Sequence, residues 1–264
     1  MKKFSSLLVV LLLMLASFTA GVEYQRGDVD QDDQVNISDV TCLIDYLLSG
    51  TWSDESVTPP DGHEWVDLGL PSGTLWATCN VGASVPEDYG DYFAWGETEP
   101  KDYYDWSNYK WYEYGYADGY WHSGYTKYCT NSSDGLDGFV DNKTELDPSD
   151  DAACTYYPDG RMPSVEQIQE LCNNCTWQWA NRNGVNGQLV TGPNGNTMFL
   201  PAAGCCEYGL FEGAGSDVFF WSRTLNSGQP SNAYALYFDS EGWGDWHDSN
   251  DRHNSHSVRA VRVS

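Results

Sequence analysis

Within residues 63–264, one segment has the apolar spacing of an α-helix, and this feature constrains the fold most. Ser164 and Gln167 have the spacing of a capping box. The helix that follows would place on one face the side chains of Val165, Ile168, Leu171, Cys172 and Cys175. The remaining stretches are short and lie between turns that contain glycine, proline or asparagine. The pattern predicts an α+β domain in which one helix accompanies many short strands and long loops.

The C-terminal part of this domain has the signals of short strands. Residues 188–191 and 197–200 flank the turn sequence GPNGN, which predicts a hairpin. Residues 233–239 alternate, so that Tyr234, Leu236 and Phe238 would share one side of a strand. Two further strands are predicted at residues 218–222 and 258–263.

Several separate motifs of this domain resemble one protein family. They are WVDLGLPSGTLWATCNVGA (65–83), GDYFAWGE (90–97), RMPS (161–164), FLPAAG (199–204), FWS (220–222), AYALYF (233–238) and SVR (257–259). Together they resemble the Fibrobacter succinogenes major paralogous domain, which is common in secreted proteins of gut Bacteroidales. The resemblance implies a fold similar to that of C-type lectins and formylglycine-generating enzymes. Those enzymes use cysteines near the end of the fold, whereas this chain has none after Cys206, so their activity is not implied.

Residues 1–21 have the pattern of a secretory signal peptide. Two lysines near the start precede an apolar run over residues 7–15, and small residues follow at 19–21. The run is too short to span a bilayer, and no later stretch approaches the required length. We therefore expect cleavage near Val22 and a secreted protein, extracellular or periplasmic, with no membrane span. The alternative is an uncleaved membrane anchor.

Residues 26–50 predict a calcium-binding loop followed by a helix. In a twelve-position loop that starts at Asp28, the oxygen ligands would come from Asp28, Asp30, Asp32, Gln34 and Asp39. Apolar residues then repeat with helical spacing over residues 40–48. The unit resembles a single dockerin type I repeat, except that Asp33 stands where this family usually has glycine. The resemblance implies a cohesin-like partner and a place in a polysaccharide-degrading assembly.

A linker separates this unit from the larger domain. Residues 51–62 have the composition of a linker, and Pro59 and Pro60 stiffen its end. We expect residues 63–264 to fold independently of the N-terminal unit.

The acidic loop before the linker has an alternative interpretation, a solvated segment that binds no metal.

The chain has eight cysteines, and export permits them to form disulfides. Cys205 and Cys206 are neighbours, and adjacent cysteines rarely bond to each other because their side chains point apart. Cys172 and Cys175 have the spacing of a zinc or redox pair, but a second pair of this kind is missing. We expect one or two disulfides, with the remaining cysteines free and buried.

Acidic and aromatic residues dominate the composition. Asp and Glu number 39 against 13 Lys and Arg, which gives a formal net charge of -26. A chain of this charge repels phosphate backbones, so we exclude nucleic acid as a partner. Aromatic residues make up 15% of the chain, a composition that is frequent in secreted proteins that meet sugars or cations.

The aromatic residues are densest between Tyr103 and Tyr125. This segment has no sustained helix or strand period, so we predict a long ordered loop. Rings beside carboxylates and amides are suited to stacking on a sugar face, and the candidate ligand-binding residues are Trp106, Trp111, Trp121, Asp105 and Asn108. The alternative is that the rings fasten an irregular loop onto the sheet.

These patterns favour three functional hypotheses. The first is a secreted, non-enzymatic binding or adhesion module for a glycan or a protein at the cell surface. The second is a component of a polysaccharide-degrading assembly that docks through the calcium unit. The third is an enzyme of unknown chemistry, although the chain has no G-x-S-x-G, H-E-x-x-H or phosphate-loop motif.

Histidines and aspartates at residues 245–256 could hold a metal or form a polar turn.

We expect the chain to bind one calcium ion and the helix at residues 40–48 to become ordered on binding. Clustered carboxylates repel one another without a cation, so folding and metal binding are coupled. Calorimetry with calcium should show binding that Asp28→Ala abolishes and that Asp33→Gly strengthens. Absence of calcium binding, or binding that Asp28→Ala leaves unchanged, would contradict the loop assignment.

Overall fold

A computed structural model of the chain describes residues 65–157 and 159–263. These residues belong to one unit that extends from Asp61 to Ser264. The predicted signal peptide, calcium-binding loop, dockerin-like helix and linker lie outside the described residues, and each of them stays a prediction.

Strands predominate in the described residues, and the α-helices there are α1, Ala152–Tyr156, and α2, Val165–Asn174. Neither of these helices has the length or the apolar composition that crossing a membrane requires. The architecture is sheet-rich with few helices, in agreement with the expected α+β class. The strands are β1 Trp65–Asp67, β2 Thr74–Ala77, β3 Tyr92–Ala94, β4 Tyr112–Ala117, β5 Tyr120–Tyr125, β6 Thr176–Arg182, β7 Val185–Thr191, β8 Thr197–Pro201, β9 Cys205–Glu207, β10 Leu210–Glu212, β11 Asp217–Leu225, β12 Asn232–Asp239, β13 Gly244–Asp251, β14 Ser255–Ser257 and β15 Val261–Val263.

The described strands form four sheets. The largest has the order β10-β9-β14-β11-β12-β13, and β3 also pairs with β14. In this sheet β14 and β11 are parallel, and the other pairs are antiparallel. The smaller sheets are β1-β2-β15, β6-β7-β8 and the hairpin β4–β5.

Helix α2 begins with the capping box that the sequence predicts. The Gln167 N–H donates to Ser164 Oγ at 3.2 Å, and the Ser164 N–H donates to Gln167 Oε1 at 3.0 Å. The predicted apolar face packs against the sheets, with Val165, Ile168 and Leu171 buried. The two cysteines of this face are half-buried at the edge of the same cluster.

The strands predicted from the C-terminal sequence are present. Strands β7 and β8 flank the predicted turn, and the Gly192 N–H donates to the Asn196 carbonyl across it at 2.9 Å. Strands β11 and β12 contain the segments predicted as residues 218–222 and 233–239. The last predicted strand is shorter than expected, because β15 starts only at Val261.

The prediction of a long loop over residues 103–125 is wrong for its second half. Strands β4 and β5 pair in register from Tyr112 opposite Tyr125 to Ala117 opposite Tyr120. The turn between them is Asp118-Gly119, with φ values of 51° and 87°. An Asp-Gly pair with two positive φ angles is the two-residue turn that matches the twist of a hairpin. Glycine and aspartate therefore mark a hairpin turn here and not a loop.

The cysteines differ from expectation. Cys129, Cys154, Cys172, Cys175, Cys205 and Cys206 all carry free thiols. Six of the eight cysteines are therefore outside any disulfide, so of the one or two disulfides expected, two are excluded and one stays a prediction. Burial raises the pKa of the Cys172 thiol to about 12, so this thiol is protonated at neutral pH.

Two buried tryptophans connect the segment of β3 to β11 within the largest sheet. The Trp95 indole donates to the Ser222 carbonyl at 2.8 Å, and the Trp221 indole donates to the Phe93 carbonyl at 2.8 Å. Both side chains are fully buried in one apolar cluster. Each indole thus buries a large apolar area while its N–H remains paired.

A buried arginine connects three further segments. Arg259 donates from Nε to Asn80 Oδ1 at 2.9 Å, from Nη1 to the Ala77 carbonyl at 2.9 Å and from Nη2 to the Phe199 carbonyl at 3.1 Å. Burial lowers the pKa of this guanidinium below its usual range. Since Ala77 ends β2 and Phe199 lies in β8, Arg259 fixes two sheets relative to each other.

We expect Arg259→Lys to lower the free energy of unfolding by about 2–4 kcal/mol, because an ammonium group cannot reach all three acceptors and leaves buried groups unpaired. The measurement is urea unfolding of the full chain. Arg182→Lys is the matched control, since Arg182 is an exposed partner of Glu87, and it should change stability by less than about 0.5 kcal/mol. Equal effects of the two substitutions would contradict the role of Arg259.

Candidate functional site

A groove lined mainly by aromatic rings opens on the surface of the domain. Its volume is about 420 Å³, and its lining residues are Asp105, Trp106, Ser107, Tyr112, Tyr114, Tyr125 and Tyr208. We call it the aromatic groove. Two of the five ligand-binding candidates from the sequence, Trp106 and Asp105, lie in it.

Three parts of the chain form the aromatic groove. Asp105, Trp106 and Ser107 come from the loop before β4, and three tyrosines come from the hairpin β4–β5. Tyr208 lies in the turn between β9 and β10, and its N–H donates to the Tyr104 carbonyl at 2.9 Å. This bond ties the turn to the loop, so the two sides of the groove are held together.

Trp106 lies at the centre of a group of rings. Its ring centroid is 5.8 Å from Tyr109, 5.3 Å from Tyr112 and 5.8 Å from Tyr125. Tyr109 and Tyr125 are buried in the cluster beneath, while Trp106 is half-buried. The surrounding rings therefore fix the orientation of Trp106 and leave part of its surface open to the groove.

Asp105 supplies a carboxylate at the edge of the groove. Its Oδ1 accepts from the Ser107 N–H at 2.9 Å, the Ser107 Oγ at 2.7 Å and the Asn108 N–H at 3.2 Å. These hydrogen bonds, led by that of the Ser107 hydroxyl, lower the pKa of Asp105. The group is thus ionised at neutral pH and oriented by a local turn.

Asn108, the second polar candidate, is occupied within the loop. Its amide donates to the Tyr103 carbonyl at 2.7 Å, and its Oδ1 accepts from Lys101 Nζ at 3.2 Å. The structure therefore gives Asn108 a role in shaping the loop, outside the groove lining.

Trp111 lies outside the groove lining and is half-buried against the core. Its indole donates to the Gly96 carbonyl at 2.8 Å. Lys110 Nζ and Lys127 Nζ lie 4.3 Å and 4.9 Å from its ring centroid. Cation–π contacts and a backbone hydrogen bond thus hold this ring, and the alternative of a fastening role describes it better than ligand stacking.

Trp121 lies on the hairpin next to the groove. It is exposed, and its ring stacks on Tyr114, a lining residue, at 5.0 Å between centroids and 18° between planes. Trp106 and Trp121 thus lie near a common surface, Trp111 is half-buried against the core, and the ligand-binding role of the three stays a prediction.

Residues 245–256, for which we expected a metal site or a polar turn, are mostly strand, and only residues 252–254 form a turn. Residues 244–251 form β13 and residues 255–257 form β14, and the residues between them are buried. In the described ranges, no three His, Cys, Asp or Glu side chains are grouped as ligands of a metal ion. The segment instead provides the layer beneath the aromatic groove.

His253 lies directly under the groove. Its ring is 4.4 Å from Trp106 and 5.4 Å from Tyr208. Both ring nitrogens are buried and accept or donate no hydrogen bond within the described residues, and Nε2 is 3.9 Å from Glu207 Oε1. Burial lowers the pKa of His253 to about 4, an effect that Asp105 opposes and Lys101 reinforces. The imidazole is therefore neutral at neutral pH.

Arg252 supports the rings from the protein interior. Its Cζ lies 4.1 Å from the Tyr125 ring centroid and 5.4 Å from that of Tyr109. Nη1 donates to the Tyr128 carbonyl at 2.9 Å. No pattern in the sequence marks Arg252 or His253, because their importance comes from the rings that cover them.

Comparisons with models of known protein families, with curated proteins and with solved structures found no match. The function proposed for this chain therefore depends on its residues and their geometry.

We expect the free energy of unfolding to fall by about 2 kcal/mol between pH 6.5 and 4.5 on account of His253. The unfolded chain protonates this histidine below its ordinary pKa of about 6.5, whereas the folded chain protonates it only near pH 4. The unfolded state thus binds more protons in this window, and stability is lost as the pH falls.

Urea unfolding of the full chain and of His253→Phe at several pH values isolates this contribution, since other titrating groups are common to both. The variant should lose less stability on acidification. The same slope for both proteins would contradict the burial of a neutral His253.

Proposed function

We propose that this chain is a secreted, non-enzymatic binding module whose large domain binds a neutral glycan in the aromatic groove. One observation carries the proposal. Fixed aromatic rings, hydroxyl groups and one carboxylate converge on a groove whose described lining contains no lysine or arginine.

The lining matches the chemistry of a sugar. The apolar face of a pyranose ring can stack on Trp106 or Tyr208, and its hydroxyl groups can pair with Asp105 and Ser107. Since the rings are held by their neighbours before a ligand arrives, little side-chain entropy is lost on binding. Weak affinity for a single site is expected, and several copies at a surface would strengthen it.

Electrostatics favours a neutral ligand over an anionic one. The chain has a formal net charge of -26, and a carboxylate lies at the groove itself. Uronic or sulfated polymers would meet repulsion before contact, whereas a neutral sugar would not.

The same proposal includes a fold more specific than the α+β class. We assign the domain to a lectin-like fold of the Fibrobacter succinogenes major paralogous type. Its support is the sheet-rich architecture with a capped helix after the RMPS motif, and the burial of Trp95, Trp221 and Arg259 within the sequence motifs.

The N-terminal unit completes the proposal on sequence grounds alone. The carboxylates at 28, 30, 32 and 39 would bind calcium, and a dockerin-like unit would attach the module to a cohesin-like partner. The alternative function is thus that of a component of a polysaccharide-degrading assembly, with the groove contacting the polysaccharide.

A glycan array with the full chain tests the proposal, followed by calorimetry with the neutral glycan that binds best. We expect Tyr208→Ala to weaken binding about five- to tenfold, which corresponds to about 1 kcal/mol for one lost ring contact. Trp243→Ala is the matched control, since Trp243 is also exposed but packs on Tyr237 away from the groove.

Three outcomes would contradict the proposal. The first is an array on which no neutral glycan binds. The second is an equal loss of binding in both variants. The third is shortening of the bound glycan during incubation, which would indicate an enzyme.

A further inference from the structure

The aromatic groove continues along one face of the hairpin β4–β5. In the pairing register Tyr112 is opposite Tyr125, Tyr114 is opposite Ser123 and Tyr116 is opposite Trp121. Directly opposed residues of an antiparallel pair point to the same side, and so do residues two apart on a strand. All six side chains therefore share one face, and five of them are aromatic. We call this face the aromatic strip.

Exposure increases along the aromatic strip from its base to its tip. Tyr125 at the base is 5% exposed, whereas Tyr114, Tyr116 and Trp121 are 66%, 63% and 66% exposed. Trp121 stacks on Tyr114 and meets Tyr116 edge-on at 5.3 Å. The rings at the base thus belong to the core, and the rings at the tip form an open surface that adjoins the groove.

The strip is long enough to contact more than one sugar unit. Tyr112 and Tyr116 are four residues apart, which corresponds to about 14 Å at about 3.4 Å per strand residue. Tyr112 and Tyr114 line the groove, and Tyr116 lies beyond it toward the tip. A ligand in the groove therefore meets further rings if it extends along the hairpin.

The base of the hairpin is anchored. The Tyr125 N–H donates to the Asp134 carbonyl at 2.9 Å. Gly124 is buried against residues 135 and 136 so closely that a Cβ there would lie 2.4 Å from the Leu136 nitrogen. On the opposite face of the hairpin, His122 Nδ1 is 2.6 Å from Asp137 Oδ1. These contacts orient the strip before a ligand binds.

The chemistry of the strip favours a glycan over a protein partner. Its polar groups are the hydroxyls of its tyrosines and of Ser123 and the indole N–H of Trp121, and it contains no charged side chain. Exposed rings that carry hydroxyl groups suit a ligand with apolar faces and many hydroxyls. Arginine and methionine, which accompany aromatic residues in protein interfaces, are absent from the strip. The strip and the groove share Tyr112, Tyr114 and Tyr125, so the strip continues the lining of the groove.

We propose that the aromatic strip is a second part of the binding site, so that the ligand is an extended segment of a neutral polysaccharide lying along the hairpin. This inference rests on the proposed function of the aromatic groove. It adds that the site binds the interior of a chain through successive sugar units, and that affinity increases with chain length.

Calorimetry of the full chain tests this with soluble oligomers, disaccharide to hexasaccharide, of the neutral polysaccharide that binds best on the array. Affinity should rise with length. Trp121→Ala should weaken binding of the longest oligomer about tenfold, the factor that corresponds to about 1.4 kcal/mol, and should leave disaccharide binding nearly unchanged. Thermal unfolding of each variant checks that it is folded.

Tyr120→Ala is the matched control. Tyr120 is 74% exposed on the same hairpin, but it is opposite Ala117 and so lies on the other face. This variant should bind all oligomers as the parent chain does.

The outcomes separate the two proposals. Affinity that is independent of length, together with weaker binding by Tyr208→Ala, would overturn the aromatic strip and leave the groove in place. Equal effects of Trp121→Ala and Tyr120→Ala would also overturn the strip. Absence of binding by any neutral glycan would overturn both proposals, and capture of a protein through Trp121 alone would overturn the strip.

Discussion

Arg259 carries a positive charge into the centre of the domain, and it can remain there only if its N–H groups find acceptors. Ala77, Asn80 and Phe199 provide these acceptors from separate segments of the chain. Their relative positions are thereby specified more strictly than apolar packing alone would require, because a hydrogen bond is directional. The sheets β1-β2-β15 and β6-β7-β8 depend on this arrangement for their relative position.

A second buried arginine, Arg252, explains how one aromatic segment serves both the core and the surface, because aromatic rings cover its guanidinium. Tyr109 and Tyr125 are buried against the Arg252 guanidinium, while Tyr114 and Trp121 project from the hairpin beyond it. The buried rings exclude water from Arg252 and His253, and those groups in turn hold the floor of the groove. The open aromatic surface thus lies above a layer that contains Arg252 and His253. Ligand binding is proposed for the rings that this surface exposes.

Some of the fold follows from local patterns. The capping box at Ser164 and the strand over residues 233–239 appear in the structure where the sequence predicts them, since caps and periodicity act within a few residues. The Asp118-Gly119 turn was equally local, yet the dense aromatic residues beside it concealed the alternation of the hairpin. Of the one or two disulfides expected, two are excluded, because cysteine count says nothing about which thiols meet.

The sequence by itself determined that the domain combines few helices with many short strands, and that rings gather between residues 103 and 125. Only the tertiary structure decided which of these rings are exposed to a ligand. Trp111 is half-buried because Gly96, Lys110 and Lys127 contact it. Trp106 lines a groove because Tyr208 and His253 approach it from turns remote in sequence. Burial of a side chain depends on neighbours remote in sequence, and no local pattern carries that information.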